Sequence, residues 1–261
     1  MKKLCLLLFW MSALSAAEVK VPAHIDHSPF TALLQTYVND QGLVDYKAWK
    51  NSPEDLARFE NYLKQFASTA PQAKDEDKIA SLLNAYNAFT LKLILDHYPI
   101  ESIRLLKDPF GAPQHLIGGR KVSLDEIEHD TLRPLIGWKV HAMVVCAARS
   151  CPPLYSEAYS ADDWENQMHS RYRVWLARTD LNSYQPASNT VTISKIFDWY
   201  ADDYEGQNAL PLVLTRYAPA SAEAFLQKQT YKIRYQPYHW GLNDQSDLGK
   251  NYKHSIFKTL F

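Results

Sequence analysis

The chain has 261 residues, 46% of them hydrophobic and 13% aromatic, with 28 Lys and Arg against 29 Asp and Glu. A balance this close to neutral lacks the basic excess that phosphate contacts demand, so no nucleic-acid partner is expected. The apolar content suffices for a substantial core, and no Gly/Ser linker, repeat or low-complexity tract divides residues 18–261, which read as one globular domain.

Taken in chain order, Lys2 and Lys3 precede the apolar run Leu4 to Leu14 and the small residues Ser15, Ala16 and Ala17. That order predicts a secretory signal peptide over residues 1–17 and a periplasmic or secreted product. The run is about eleven residues, against roughly 20 needed to cross a bilayer, and Cys5 lies inside it rather than after it, so no stable membrane anchor is expected. Ser52-Pro-Glu-Asp55 then supplies a cap, a first-turn proline and two carboxylates ahead of Leu56, Phe59, Tyr62, Leu63 and Phe66, a helical period. The next helix is predicted over Asp75 to His97 and stops before Pro99. On it Asn84 and Asn87, three apart, share a face. His97, at the end of that helix, is explained by its C-terminal carbonyls.

Leu116 to Val122 reads as a hairpin turning at Gly118-Gly119, and Ser123 to Glu126 as a capping box that opens a short helix carrying Glu128, His129 and Arg133. Lys139 to Cys146 is apolar on both faces and predicts a buried strand with Cys146 at its end. A long amphipathic helix from Ser160 to about Arg178, a strand Thr190 to Ile193, a helix Ser194 to Tyr204, helices near 210–217 and 221–228, and a strand Tyr231 to Tyr235 complete the chain. The expected class is α+β: a mostly helical single domain around a small antiparallel or mixed sheet.

Two cysteines follow position 17, Cys146 and Cys151. In an oxidising compartment such a pair commonly ends as a disulfide across the 147–150 loop. The other reading makes Cys146 a thiolate nucleophile, its anion favoured by Arg149 and its proton carried by a histidine. Spacing puts His129 first. His141 lies five positions before Cys146, an odd number, and so faces away from it on a regular strand, while His239 sits in the tail. Glu128 or Asn84 would orient the imidazole, and Asn87 with the backbone of the 147–151 loop would form an oxyanion site. Arg149, Ser150, Trp199, Tyr200 and Trp240 are the candidate substrate contacts. No HExxH, paired CxxC or close His/Asp cluster occurs, so neither a metal nor another cofactor is expected.

Five blocks, NAYNAFTLKLIL (84–95), VSLDEIEHDTLR (122–133), VHAMVVCAARSCPPL (140–154), ISKIFDWYADD (193–203) and YHWGLND (238–244), resemble the family catalogued as domain of unknown function 547. The resemblance implies that its Ile-Glu-His block falls on Ile127, Glu128 and His129, and its Asn-rich helix on Asn84 and Asn87. Its C-x-x-x-S-x-P loop falls on Cys146, Ser150 and Pro152. Plant members commonly carry Ser where this chain has Cys151, which implies that Cys146 is the essential sulfur. It further implies kinship with papain-like and transglutaminase-like cysteine hydrolases, with a departure in order, because there the cysteine opens a helix and precedes its histidine. Two expectations result. One is a cysteine-dependent hydrolase or acyl transferase acting on a small peptide, isopeptide or thiol-peptide amide. The other is a non-catalytic domain with a structural Cys146–Cys151 disulfide, whose groove holds a peptide or envelope component; between them lies a redox-regulated enzyme in which Cys151 resolves an oxidised Cys146. A monomer is expected in both.

Overall fold

The computed structural model describes residues 18–205 and 209–253, so the expected signal peptide, residues 1–17, lies outside the described residues. Three N-terminal helices, α1 (Ser28–Tyr37), α2 (Tyr46–Lys50) and α3 (Pro53–Gln65), pack together and against α4 (Asp75–His97). Ser52 caps α3 by accepting from the Asp55 N–H at 3.3 Å, and the buried stripe Phe59, Tyr62, Leu63 meets α1, where Phe30 stacks on Tyr62 at 4.9 Å. Acidic Asp75, Glu76 and Asp77 suit the positive N-terminus of α4, whose residues from Ala80 to Leu91 are all buried. A helix apolar nearly all round belongs in a core, and α4 is the core's axis. It ends as expected, with His97 donating from Nδ1 to the Leu93 carbonyl at 2.8 Å ahead of Pro99.

Strands β1 (His115–Ile117) and β2 (Arg120–Val122) form an antiparallel hairpin. Its turn uses Gly118 at φ +57°, where a Cβ would lie 2.3 Å from the Lys20 carbonyl oxygen. The Ser123/Glu126 capping box opens α5 (Leu124–Ile127), which loosens into a π turn (Glu128–Leu132) before α6 (Arg133–Ile136). The strand expected over 139–146 does not form. Gly137 turns the chain at φ +57°, and Gly137–Ala142 winds into a 3₁₀ helix before an irregular run to Cys146. A short run buried on every side satisfies either conformation, so periodicity did not separate them.

Beyond it lie α7 (Trp164–Ala177), β3 (Ser183–Gln185), β4 (Thr190–Ile193), α8 (Ile196–Trp199), α9 (Ala201–Glu205), α10 (Ala209–Tyr217), α11 (Ala220–Leu226) and β5 (Lys232–Tyr235). The second sheet is mixed, ordered β3-β4-β5, with β3/β4 antiparallel and β4/β5 parallel. The mostly helical α+β class is as expected, while the single helix expected over 194–204 is broken at Tyr200. Among the described residues no helix is long and apolar enough to cross a membrane.

Two histidines bury neutral rings in this scaffold. His115 lies 4.6 Å from Phe89 and burial pulls it down to about 4; His27, bonded to Tyr62 and Ser81, is pulled down to about 4 by burial despite the opposing charge of Asp26. Unfolded, both titrate near pH 6.5, so the unfolded chain takes up protons first as pH falls. Stability is therefore full above about pH 6.5 and declines toward pH 4, by about 3 kcal/mol for the almost fully buried His115. The urea midpoint should track that decline, and His115→Phe should flatten it; an identical pH slope in the variant would contradict the assignment.

Candidate functional site

One cavity, of about 250 Å³, collects chemistry from five segments of the chain: Tyr86 of α4, Asp125 with Glu128 and His129 of the π turn, His141 of the 3₁₀ helix, Trp199 and Tyr200 at the α8/α9 break, and Tyr238 and Trp240 of the tail. Cys146 and Cys151 also line it, as do Arg104 and Phe110, both beside Trp240.

The approach to Cys146 is fixed by α4. Asn87 donates to the Met143 carbonyl at 2.8 Å and accepts from the Val145 N–H at 2.9 Å, while Asn84 bonds the carbonyl and N–H of Tyr159, both at 2.8 Å. Both ends of each amide are committed to backbone, so the expected roles of Asn84 in orienting an imidazole and of Asn87 in holding an oxyanion are not supported; they clamp the walls. Asn87→Ala leaves a buried carbonyl and N–H without partners. It should cost about 2–4 kcal/mol, read as a lowered urea midpoint with unchanged m, and a loss below about 1 kcal/mol would contradict the clamp.

The 147–151 loop is stitched to the tail. Ala147 sits at φ +57°, a conformation L residues rarely adopt, and the loop is held there by Arg149 N–H to Gly241 O at 2.8 Å, Asn243 N–H to Ala147 O at 3.1 Å and His239 N–H to Ser150 Oγ at 2.9 Å. The Arg149 guanidinium donates to the carbonyls of Asp244, Ser246 and Leu248. Arg149 and Ser150, expected at the substrate, are instead tail clamps outside the cavity lining. This stitching carries Tyr238 and Trp240 to the cavity.

Cys146 and Cys151 are joined as a disulfide, their Cα atoms 6.5 Å apart. The two sulfurs are not equivalent. Cys146 is partly exposed, whereas Cys151 is 4% exposed and accepts from the Cys146 N–H at 3.2 Å. The Tyr238 hydroxyl lies 3.1 Å from Cys146 Sγ and 3.0 Å from Cys151 Sγ. Burial, helped by the nearby Tyr200 and Glu128, pushes the Tyr238 phenol well up, so it remains a proton donor at neutral pH.

The histidines divide differently from expectation. Arg133 donates to His129 Nδ1 at 3.2 Å, and His129 Nε2 faces Asp125 at 3.6 Å, so the ring's lone pair is already engaged. His141, set aside on strand parity, is buried, stacks on Tyr200 at 4.2 Å and donates from Nε2 to Asp203 Oδ2 at 2.6 Å. A carboxylate only accepts, so in the neutral ring Nδ1 is the basic nitrogen. Asp203 also takes both Nε (2.8 Å) and Nη2 (2.9 Å) of Arg133; His141 first and Arg133 after it hold the carboxyl well below the usual range. Glu128 does not orient His129. Its buried carboxylate sits against Tyr86 and Tyr200, whose phenols are raised chiefly by burial and then by that charge.

Trp199, Tyr200 and Trp240 line the cavity, with Tyr238 packed 4.7 Å from Trp199 and 4.8 Å from Trp240, and Arg104 lies over Trp240 at 5.2 Å. Sequence reasoning missed Tyr86, Arg104, Asp125, His141, Asp203 and Tyr238. The available signal was that all of these except Arg104 lie inside the five motif blocks. Among the described residues no group of three or more His, Cys, Asp and Glu is gathered to hold a metal.

Residues 71–176 match the family model described as "Protein of unknown function, DUF547", which supports a domain of that family in this segment. The matched segment contains α4, the π turn, the 3₁₀ helix and the cysteine loop, and ends before the blocks at 193–203 and 238–244. Neither a curated protein nor a solved structure matches the chain.

Proposed function

We propose that the reduced protein is an exported cysteine-dependent hydrolase or acyl transferase, periplasmic or secreted, in which Cys146 is the nucleophile and His141 its base. The observation that carries this reading is the His141–Asp203 pair on the wall of the cavity that Cys146 lines. Asp203, itself gripped by Arg133, fixes the ring so that Nδ1 takes the thiol proton and later returns it to the leaving group, while the sulfur bonds the acyl carbon. Tyr238, held protonated 3.1 Å from the Cys146 sulfur, is the donor for the oxygen that turns anionic. Water or an amine then releases the acyl group. The aromatic walls and the cavity's size favour a small acyl substrate, such as a peptide, isopeptide or thiol-peptide amide.

The chemistry requires the Cys146–Cys151 bond to be opened. The test is turnover of a small activated thioester before and after dithiothreitol treatment. The reading expects activity only after reduction, and none in Cys146→Ala. The disulfide itself favours a second reading, a non-catalytic domain that binds a peptide or envelope component. That reading expects no turnover in either state.

A further inference from the structure

We infer that Cys146 is a covalent coupling site for a small external thiol, with Cys151 as the built-in leaving group. Three observations on the oxidised pair carry this, and none depends on acyl-transfer chemistry. Both cysteines line the cavity, but Cys146 is partly exposed and Cys151 only 4% exposed, so a thiolate in the cavity meets Cys146 first. The donors favour departure of Cys151: the Cys146 N–H donates to its sulfur alone at 3.2 Å, and the Tyr238 hydroxyl, 3.0 Å from Cys151 Sγ and 3.1 Å from Cys146 Sγ, is in reach of whichever sulfur departs. Ala147, at φ +57° and held by the tail, keeps the two cysteines of the loop in this arrangement.

The step balances without an added oxidant or reductant. The external thiolate attacks Cys146 Sγ, the new sulfur–sulfur bond forms as the Cys146–Cys151 bond breaks, and the electron pair leaves on Cys151 Sγ. One disulfide replaces another and the negative charge moves from the incoming thiol to a sulfur held by two hydrogen-bond donors. Exchange is fastest when the departing thiolate is stabilised, which is the service that Tyr238 performs. Reversal, with Cys151 attacking the mixed disulfide, expels the thiol and restores the resting bridge.

The test treats the oxidised protein with 2-mercaptoethanol, quenches with iodoacetamide at set times and maps the products by mass. Trypsin cuts after Arg149 and places the two cysteines on separate peptides. The expected early product carries the mercaptoethanol adduct on the Cys146 peptide and the alkyl label on the Cys151 peptide. An adduct on Cys151, an equal split, or no exchange at all would overturn the inference. Tyr238→Phe, with its ring retained and its fold checked by near-ultraviolet circular dichroism, should slow the exchange about tenfold, the adduct still falling on Cys146. An unchanged rate would remove Tyr238 from the step. Thioester turnover is not measured here, so loss of the acyl-transfer reading leaves this result untouched.

Discussion

His141→Ala lowers thioester turnover by the reduced protein by about 10²- to 10⁴-fold, the range associated with loss of a general base, whereas His129→Ala lowers it less than about tenfold. The asymmetry follows from which nitrogen is free. Nε2 of His141 is taken by Asp203, which leaves Nδ1 as the nitrogen proposed for proton transfer. His129 has Nδ1 filled by an Arg133 donor and Nε2 turned to Asp125. Removing His141 leaves Asp203 still paired with Arg133, so the fold survives and the loss falls on kcat. Equal losses in the two variants, or the larger loss in His129→Ala, would reject the choice of base.

Asp203→Asn destabilises the fold by about 2 kcal/mol at pH 7. Breaking a fully buried charge pair costs roughly 3–5 kcal/mol, and the partial exposure of Arg133 and Asp203 screens part of that. The carboxylate joins three donors from two parts of the chain, and an amide cannot accept them all. Because the native carboxyl is held below its unfolded value, its contribution is present above about pH 4 and is lost as pH falls further, through the native pKa. Wild type and variant should therefore differ fully in urea midpoint at pH 7, and the difference should narrow as pH is lowered below about 4. A constant difference across that range would show that packing, not the charge, is at stake.

What the sequence revealed depended on how local the cause was. The capping box at Ser123 and Glu126, the turn at Gly118 and the stop before Pro99 are set by neighbours within a few residues, and each appears where the pattern placed it. The shared face of Asn84 and Asn87 was equally legible. Their task was not, because their backbone partners lie 75 and 58 residues away. Reading 139–146 as a strand had a direct cost for the site: alternation turned His141 away from Cys146, while the 3₁₀ winding that follows Gly137 puts both on one cavity. Asp203, 62 residues beyond His141, and Tyr238, 92 beyond Cys146, enter through tertiary packing that no spacing rule encodes.

In the proposed mechanism His141, oriented by Asp203, activates the Cys146 sulfur. Its most direct measurement is the pH dependence of Cys146 alkylation in Cys151→Ser, where no bridge competes. The claim requires an inflection below the roughly 8.5 of a free thiol, moving up toward that value in His141→Gln and staying in place in His129→Gln. An inflection at the free-thiol value in the parent protein, or one that responds to His129 and not to His141, would contradict it.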